Sequence, residues 1–242
     1  MPVEKIALIT GANKGIGFEI ARQLGEQGGV VLLGVRDEGR GKVAADSLAS
    51  RGVAAIPLRI DVTDPASAAD AASQIEQRYG RLDILVNNAG ITGGFTGAPS
   101  EAIAGDMREV YETNVFGVVS VTNAMLPLLR RSDAGRIVNM SSHMGSLTLS
   151  SDPRSPFART NLITYQSSKT ALNAITVAYA KELTGTPIKV NAANPGFVAT
   201  DINHHRGQRT PAEGAVIAVR LALLDDTGPS GACLSEDGAV PW

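Results

Sequence analysis

The length, composition and charge of this chain limit what kind of protein it can be. Its 242 residues are enough to bury a sizeable core, and we expect a single domain, residues 1–242. With 43% hydrophobic and 19% charged residues, the composition excludes disordered, collagen-like and disulfide-rich proteins. The formal net charge of -2 gives no basis for a nucleic-acid partner or for an anionic membrane surface.

The sequence also indicates a compartment. Its single cysteine, Cys233, cannot form an internal disulfide, which is typical of a reducing compartment, and we expect a buried, unreactive thiol. The N-terminal segment lacks a signal-peptide pattern, and no uncharged stretch approaches the ~18 residues of a membrane-spanning helix. We therefore expect a soluble cytoplasmic protein with no membrane partner.

Short runs of β-branched and other apolar residues recur along the chain. They lie at 5–10, 30–35, 54–60, 82–87, 136–141 and 188–194. Runs of this length without clear alternation are typical of strands covered on both faces of a parallel sheet. Segments with helical periodicity lie between them; one follows Thr63 and Asp64, both able to cap a helix, with Pro65 in its first turn. The predicted fold class is α/β, a Rossmann-type doubly wound parallel sheet of about seven strands with helices on both faces.

Two segments do not follow this alternation. Residues 143–164 and 197–212 are rich in Ser, Pro, Gly and Arg and follow predicted strands, so we expect both to be loops. Loops at the carboxyl ends of strands hold the ligands of open α/β sheets, and we therefore predict that these are the substrate loops. Leu147, Leu149 and Phe157 either face the substrate or anchor the first loop to the body, and the sequence leaves both alternatives open.

Three glycines, Gly11, Gly15 and Gly17, stand between the first predicted strand and the first predicted helix. Glycine lets the chain turn with positive φ and lets backbone amides approach a ligand, and the helix N-terminus suits a pyrophosphate. The alternative is a glycine turn without a ligand. A mononucleotide P-loop is not favoured, because no Gly-Lys-Ser/Thr sequence closes the loop.

A second candidate site combines a tyrosine, a lysine and a serine. Tyr165 and Lys169 are four residues apart at the start of a predicted helix, which puts both side chains on one face. Tyrosine has a reference pKa of about 10, so we expect the ammonium of Lys169 to lower the Tyr165 pKa towards the range of acid-base catalysis. Ser142, or its neighbour Ser141, ends the fifth strand and is able to hydrogen-bond a substrate carbonyl oxygen. The alternative for Y-x-x-x-K is a solvated helix face.

Six short motifs follow one another along nearly the whole chain. They are TGANKGIG at 10–17, NNAG at 87–90, ETNVFG around Asn114, IVNMSS ending at Ser142, YQSSK at 165–169 and NPGFVAT at 194–200. In this order they resemble the short-chain dehydrogenase/reductase family, and the first motif and the ending EDGAVPW are similar to its carbonyl-reductase-like members. The resemblance implies an NADP-dependent oxidoreductase that moves a hydride between a nicotinamide and a small carbonyl or alcohol substrate.

The resemblance implies roles for individual residues. Tyr165 would be the proton donor, Ser142 would orient the carbonyl, and Lys169 would bind the nicotinamide ribose while lowering the tyrosine pKa. Asn114 would hold a water in the proton relay. The positions that would bind the cofactor are Gly11, Asn13, Lys14, Gly15, Ile16, Gly17, Arg36, Asp61, Val62, Asn88, Ala89, Gly90, Tyr165, Lys169, Pro195, Gly196, Val198 and Thr200.

The choice between NADP(H) and NAD(H) depends on two cations. Lys14 and Arg36 are each able to meet a 2′-phosphate, whereas an NAD site places an acid near the end of the second strand, where this chain has Val35. Asp37 lies about 20 residues beyond the glycines, where such an acid is sought, but we interpret it as a helix N-cap. We therefore expect NADP(H). The alternative is that both cations are solvated surface charges.

Other function classes are less well supported. A non-catalytic NADP-sensing regulatory protein on the same fold would have no need of a tuned tyrosine, and a sugar-nucleotide epimerase or dehydratase would need more chain after the sixth strand. His143, His204 and His205 lack metal-ligand spacing, so we expect no metal, with His143 the only one of them near the substrate.

The segment between the serine and the tyrosine bears on assembly. Ser142 and Tyr165 are separated by 22 residues, against a gap of about a dozen that is common with this motif. The resemblance implies that extra chain here obstructs subunit packing. It argues against a homo-oligomer without excluding one.

Overall fold

The computed structural model describes residues 4–242, and residues 1–3 of the predicted 1–242 domain lie outside the described residues. One eight-stranded sheet has the order β3-β2-β1-β4-β5-β6-β7-β8, and every neighbouring pair is parallel except the last. The strands are β1 (Ile6–Thr10), β2 (Val30–Val35), β3 (Ala55–Arg59), β4 (Ile84–Asn87), β5 (Arg136–Met140), β6 (Lys189–Ala193), β7 (Cys233–Ser235) and β8 (Gly238–Ala239). The chain runs outward from β1 to β3 and then returns to β4, so the crevice of a doubly wound sheet lies between the carboxyl ends of β1 and β4.

Eight α-helices connect these strands. They are α1 (Gly15–Glu26), α2 (Glu38–Ala49), α3 (Pro65–Tyr79), α4 (Ala104–Tyr111), α5 (Gly117–Leu129), α6 (Leu147–Ser151), α7 (Ile163–Glu182) and α8 (Pro211–Ala222), and a π-helical segment, Glu112–Phe116, joins α4 to α5. The predicted start of α3 is confirmed, because the Asp64 carboxylate accepts a hydrogen bond of 2.9 Å from the Ala66 amide and Pro65 follows it. Within residues 4–242, no helix has both the length and the apolar character needed to cross a bilayer.

The core consists of two apolar layers, one on each face of the sheet. On β1, Ala7 and Ile9 pack with helices α1, α2 and α8, whereas Ile6 and Leu8 pack with α3 and α5. This alternation explains why the strand sequences read as uninterrupted apolar runs, since both faces are covered. The fold class predicted from the sequence is confirmed.

Two predictions about local structure need correction. Strands β7 and β8 are outside the six apolar runs, because segments of three and two residues are too short to show periodicity. The predicted loop 143–164 contains a 3-10 turn, His143–Gly145, and the helix α6, because Ser142 and Ser146 cap them with their hydroxyls. The predicted loop 197–212 is irregular except for a 3-10 turn, Asp201–Asn203, and the start of α8.

Candidate active site

The predicted acid-base residues meet at the carboxyl end of β5. Ser142 follows that strand, and its hydroxyl lies close enough to the phenol of Tyr165 on α7 to affect the pKa of that phenol. Ser141 points elsewhere, since its hydroxyl donates a hydrogen bond of 2.6 Å to the Asn173 side-chain oxygen. Of the two serines left open by the sequence, the structure therefore brings Ser142 to the tyrosine.

Lys169 lies one helical turn beyond Tyr165 and is only 5% exposed. Its ammonium donates a hydrogen bond of 2.7 Å to the Met140 carbonyl oxygen and lies 5.5 Å from the centre of the Tyr165 ring. This excludes the alternative of a solvated helix face. The packing is tight here, because a Cβ added to Gly145 would lie 2.9 Å from the Lys169 Cβ.

The predicted lowering of the Tyr165 pKa is wrong for this structure. Burial raises the pKa of Tyr165 to about 12, and the hydrogen bond with Ser142 offsets only part of that effect. Burial also lowers the pKa of Lys169 to about 8. The physical reason is that both groups leave water together, and desolvation disfavours the charged form of each.

Asn114 lies in the π-helical segment and is fully buried. Its Oδ1 accepts a hydrogen bond of 2.9 Å from the Ile91 amide, and its Nδ2 donates to the Ile91 carbonyl at 2.8 Å and to the Ser168 hydroxyl at 3.0 Å. The Ser168 hydroxyl in turn donates to the Tyr165 carbonyl at 2.7 Å. Asn114 thus ties the chain after β4 to the turn of α7 that carries the tyrosine and the lysine.

The glycines form a close-packed turn over the N-terminus of α1. Gly11 and Gly15 have φ of 66° and 59°, where a Cβ is unfavourable. A Cβ on Gly17 would lie 2.6 Å from the Gly11 carbonyl oxygen and 2.5 Å from the Asn88 side-chain nitrogen. A Cβ on Gly15 would meet only the methyl group of Thr200 within 4 Å, at 3.5 Å. This region leaves the backbone at Gly15 open to a ligand.

Asn88 and Thr10 hold the crevice between β1 and β4 in shape. The Thr10 hydroxyl accepts hydrogen bonds of 3.0 Å from the amides of Asn88 and Ala89, and the Asn88 side chain donates to the Thr10 carbonyl at 2.9 Å. The side chain of Asn88 is therefore a brace for the glycine turn, which the sequence did not predict. Gly90 follows, and a Cβ there would lie 3.3 Å from the Asn114 Oδ1 and 3.6 Å from the Lys169 Nζ.

The two predicted phosphate cations differ in their surroundings. Lys14 pairs with the carboxylate of Asp201, in the segment after β6, whereas Arg36 is exposed beyond β2 and has no ion pair among residues 4–242. Val35 is buried, and the predicted N-cap is confirmed because the Asp37 carboxylate accepts a hydrogen bond of 3.0 Å from the Arg40 amide. Thus no carboxylate at the end of β2 is available to bind a ribose 2′-hydroxyl, as the acid of an NAD site does.

The other predicted cofactor positions lie at the glycine turn and the start of α1 or follow strands β3, β4 and β6. Burial acts to raise the Asp61 pKa, but hydrogen bonds from Thr63 and the charges of Arg36 and Arg59 outweigh it, so the pKa is lowered and the carboxylate faces cations. Gly196 has a φ of 78° and turns the chain after β6. The remaining predicted positions divide into partly exposed Asn13, Ala89 and Thr200, buried Val62, Pro195 and Val198, and Ile16, which packs on the core.

The substrate side of the site contains an aromatic pair. The rings of His143 and Phe157 stack with centroids 5.3 Å apart and an angle of 13° between their planes. Leu149 packs on the core cluster of Ala192, Cys233 and Val240, whereas Leu147 is exposed. The sequence left both roles open for these residues, and the structure gives an anchoring contact only to Leu149.

The sequence reasoning missed four polar residues, Thr10, Ser168, Asn173 and Asp201. Thr10 and Ser168 each adjoin a recognised motif residue, which was the available signal. Asn173 lies four residues after Lys169, on the same helix face, and its Nδ2 donates a hydrogen bond of 3.1 Å to the Gly145 carbonyl. Asp201 directly follows the motif that ends at Thr200, which is the same kind of signal. In residues 4–242, no three His, Cys, Asp or Glu side chains are grouped as metal ligands.

The fold and this site together define a class of protein. A doubly wound sheet with a glycine turn at its crevice and a Ser-Tyr-Lys set at the neighbouring strand end is the arrangement of a dinucleotide-dependent oxidoreductase. The sequence matches the family model described as short chain dehydrogenase over residues 5–211. The chain belongs to the short-chain dehydrogenase family.

Individual relatives agree with this assignment. Short-chain dehydrogenase/reductase 1 of Saponaria officinalis is 38% identical, covering 99% of this chain and 96% of its own length. Carbonyl reductase (NADPH) 1 of Bos taurus is 33% identical, with 98% of each chain covered. The crystal structure of NADPH-bound carbonyl reductase from chicken fatty liver is similar with a TM-score of 0.85 and 29% identity, covering 100% of both chains.

Proposed function

We propose that this chain is an NADPH-dependent oxidoreductase that transfers a hydride between the nicotinamide and a small carbonyl or alcohol substrate. The observation that carries the proposal is the buried ammonium of Lys169, 5.5 Å from the centre of the Tyr165 ring, with the Ser142 hydroxyl close to the same phenol. The bovine and chicken relatives, both named as NADPH-linked carbonyl reductases, support the same cofactor and substrate class.

The residues at the crevice fit a phosphate-bearing dinucleotide. The backbone at Gly15 is open, because only the Thr200 methyl would approach a Cβ there. Lys14 and Arg36 supply positive charge, and Val35 occupies the position where an NAD site has an acid. Positions proposed to line the rest of the cofactor groove are Gly11, Asn13, Ile16, Gly17, Asp61, Val62, Asn88, Ala89, Gly90, Pro195, Gly196, Val198 and Thr200.

Tyr165 is proposed to donate a proton to the carbonyl oxygen during reduction. With its pKa raised to about 12, the phenol keeps its proton at neutral pH and is able to deliver it as negative charge grows on the substrate oxygen. The Ser142 hydroxyl, which lies close to that phenol, is proposed to orient the same oxygen. The nicotinamide, when bound, supplies the hydride.

Lys169 is proposed to stabilise the phenolate that proton donation leaves behind. With a pKa of about 8, its amine is still mostly protonated at neutral pH, and the cation lies beside the tyrosine ring. On the same helix, Lys169 is the proposed contact for the nicotinamide ribose.

Asn114 is proposed to support the proton relay by holding a water molecule. Both of its amide hydrogens are committed, to Ile91 and to Ser168, so a water would be held through its remaining oxygen lone pair.

We also propose that residues 1–242 act as one domain in which segments 143–164 and 197–212 contact the substrate, and that the partner of the site is a small molecule. The rival, a regulatory NADP sensor, has no use for the tyrosine and lysine brought together on α7.

A matched pair of variants tests the proposal. Purified protein is assayed for NADPH oxidation with a panel of ketones, aldehydes and quinones. Tyr165→Phe is expected to keep NADPH binding and to lose at least about a hundredfold in kcat, since general acid catalysis contributes about that much. Tyr179→Phe removes the phenol hydroxyl of the second tyrosine on α7, which donates a hydrogen bond to Asn123, and is expected to keep turnover. Equal turnover by the wild type and Tyr165→Phe would rule out the assigned role.

A further inference from the structure

Lys14 has a protein partner that its predicted role does not explain. Its ammonium pairs with the carboxylate of Asp201, although the two residues are far apart in sequence. Asp201 directly follows Thr200, whose methyl group lies 3.5 Å from the place of a Cβ on Gly15. The ion pair therefore joins the glycine turn to the segment after β6, across the edge of the crevice.

The segment that Asp201 holds is a strained turn, residues 200–206, which we call the strap. His204 and His205 have φ of 54° and 58°, and they are the only non-glycine residues with positive φ in the described part of the chain. Such backbone is unfavourable for residues with a Cβ and persists only where surrounding contacts hold it. The second carboxylate oxygen of Asp201 accepts from His205 Nε2 at 2.8 Å. The carboxylate of Asp201 thus contacts His205, near the other end of the strap, and also Lys14, in the glycine turn.

We propose that Asp201 is a built-in competitor of the nucleotide phosphate for Lys14, and that it limits the preference of the site for NADPH over NADH. The inference rests on the proposed function, in which Lys14 binds the 2′-phosphate. Lys14 carries a single charge, so an ammonium that faces the phosphate leaves Asp201. A phosphate monoester has more negative charge and more acceptor oxygens than a carboxylate, and it wins this competition when bound.

The exchange also releases the strap from the glycine turn. After Lys14 moves to the phosphate, the Asp201 carboxylate retains only His205 as a charged partner, and the chain just beyond the strap stays anchored through the ion pair of Arg209 with Glu236. Binding of NADPH, but not of NADH, therefore loosens a segment proposed to contact the substrate. The cofactor phosphate and the strap are coupled through one lysine.

The size of the effect follows from exposure. The Lys14 and Asp201 side chains are 60% and 56% exposed, so solvent screens their attraction. Removing the competing carboxylate is expected to tighten NADPH binding by about three- to fivefold, the upper part of the range of an exposed ion pair. NADH, which lacks the 2′-phosphate, is expected to change by less than about twofold.

The test is a double-mutant cycle on dissociation constants measured by isothermal titration calorimetry. Asp201→Asn is expected to tighten NADPH in the wild-type background and to have no effect in the Lys14→Met background. Glu182→Gln, which removes the acid of the exposed pair with Arg130, is the control and is expected to leave both constants unchanged.

Besides an unchanged Asp201→Asn variant, three results would overturn the inference. They are weaker NADPH binding by Asp201→Asn, which would make the ion pair a clasp over the nucleotide; an equal effect on NADH; and an effect that persists without Lys14. Wild-type protein that binds neither nucleotide would instead refute the proposed function on which the inference rests. Normal NADPH binding with an unchanged Asp201→Asn variant refutes the competitor alone.

Discussion

Lys169→Met tests whether the site keeps a buried ammonium at the expense of stability. Burial lowers the pKa of Lys169 from 10.5 to about 8. Below pH 8 the lysine is protonated in both the native and the unfolded states, and the native state carries the full penalty of burying the charge. Between pH 8 and 10.5 the unfolded chain still binds a proton that the native protein has lost, so the stability of the wild type rises with pH.

The expected change is large enough to measure. With these two pKa values and about 1.4 kcal/mol per pKa unit, the free energy of unfolding of the wild type rises by about 2 to 3 kcal/mol relative to that of Lys169→Met between pH 7 and pH 10. The lost hydrogen bond to the Met140 carbonyl lowers the stability of the variant by about 1 to 3 kcal/mol at every pH and does not affect this slope. The Tyr165 phenol, with a pKa of about 12, stays protonated up to pH 10 in the wild type, and loss of a neighbouring cation only raises that pKa, so its titration does not separate the two proteins over this range.

Urea unfolding followed by circular dichroism at pH 7, 8.5 and 10 gives the two curves. Lys181→Met, an exposed lysine on the same helix, is the control and is expected to track the wild type at all three values. Turnover by Lys169→Met is expected to fall even where its stability is higher. A stability difference between the wild type and Lys169→Met that is the same at pH 7 and pH 10 would refute the reasoning.

Three further predictions concern the cofactor and the serine pair. Arg36→Ala is expected to weaken NADPH roughly tenfold and NADH less than about twofold, by calorimetry, because only NADPH offers a 2′-phosphate to a charge-assisted hydrogen bond; equal losses would contradict the contact. Ser142→Ala is expected to lower kcat at least about tenfold, whereas Ser141→Ala keeps turnover and loses about 1 kcal/mol in urea unfolding, because its hydroxyl is bonded within the protein; the reverse pattern would exchange their roles. Gly17→Ala is expected to lose about 1 to 3 kcal/mol of stability together with nucleotide binding, because its Cβ would lie 2.6 Å from a carbonyl oxygen, whereas Gly94→Ala, with nothing within 4 Å, is expected to lose neither.

Most of the fold could be predicted from the sequence, because the buried strands and helices each have a characteristic pattern of apolar residues. The apolar runs identified six strands, since a sheet buried on both faces tolerates few polar residues. The positions of the final strands, β7 and β8, were not predicted, because their pairing depends on where the chain returns to the sheet after α8. The helix and the turn inside 143–164 were not predicted, because a serine that caps a helix cannot be told from a loop serine unless the helix after it is recognised.

The candidate site shows the same division. The positions of Tyr165 and Lys169 follow from motif spacing, which left Ser141 and Ser142 both open, and the structure brings Ser142 to this pair. The direction of the Tyr165 pKa shift does not follow from motif spacing, because spacing indicates only a neighbouring charge. Desolvation also shifts the pKa, and it depends on all the residues packed around the tyrosine and the lysine.

The sequence by itself determined the class of fold, the glycine turn and the residues able to move a proton, because these depend on contacts within a few residues or on local periodicity. Only the tertiary structure decided which serine meets the tyrosine, that Asn114 and Ser168 brace α7, and that Lys14 faces Asp201. Those choices depend on how separate strand ends come together at one edge of the sheet, and chain packing over long sequence distances sets that geometry.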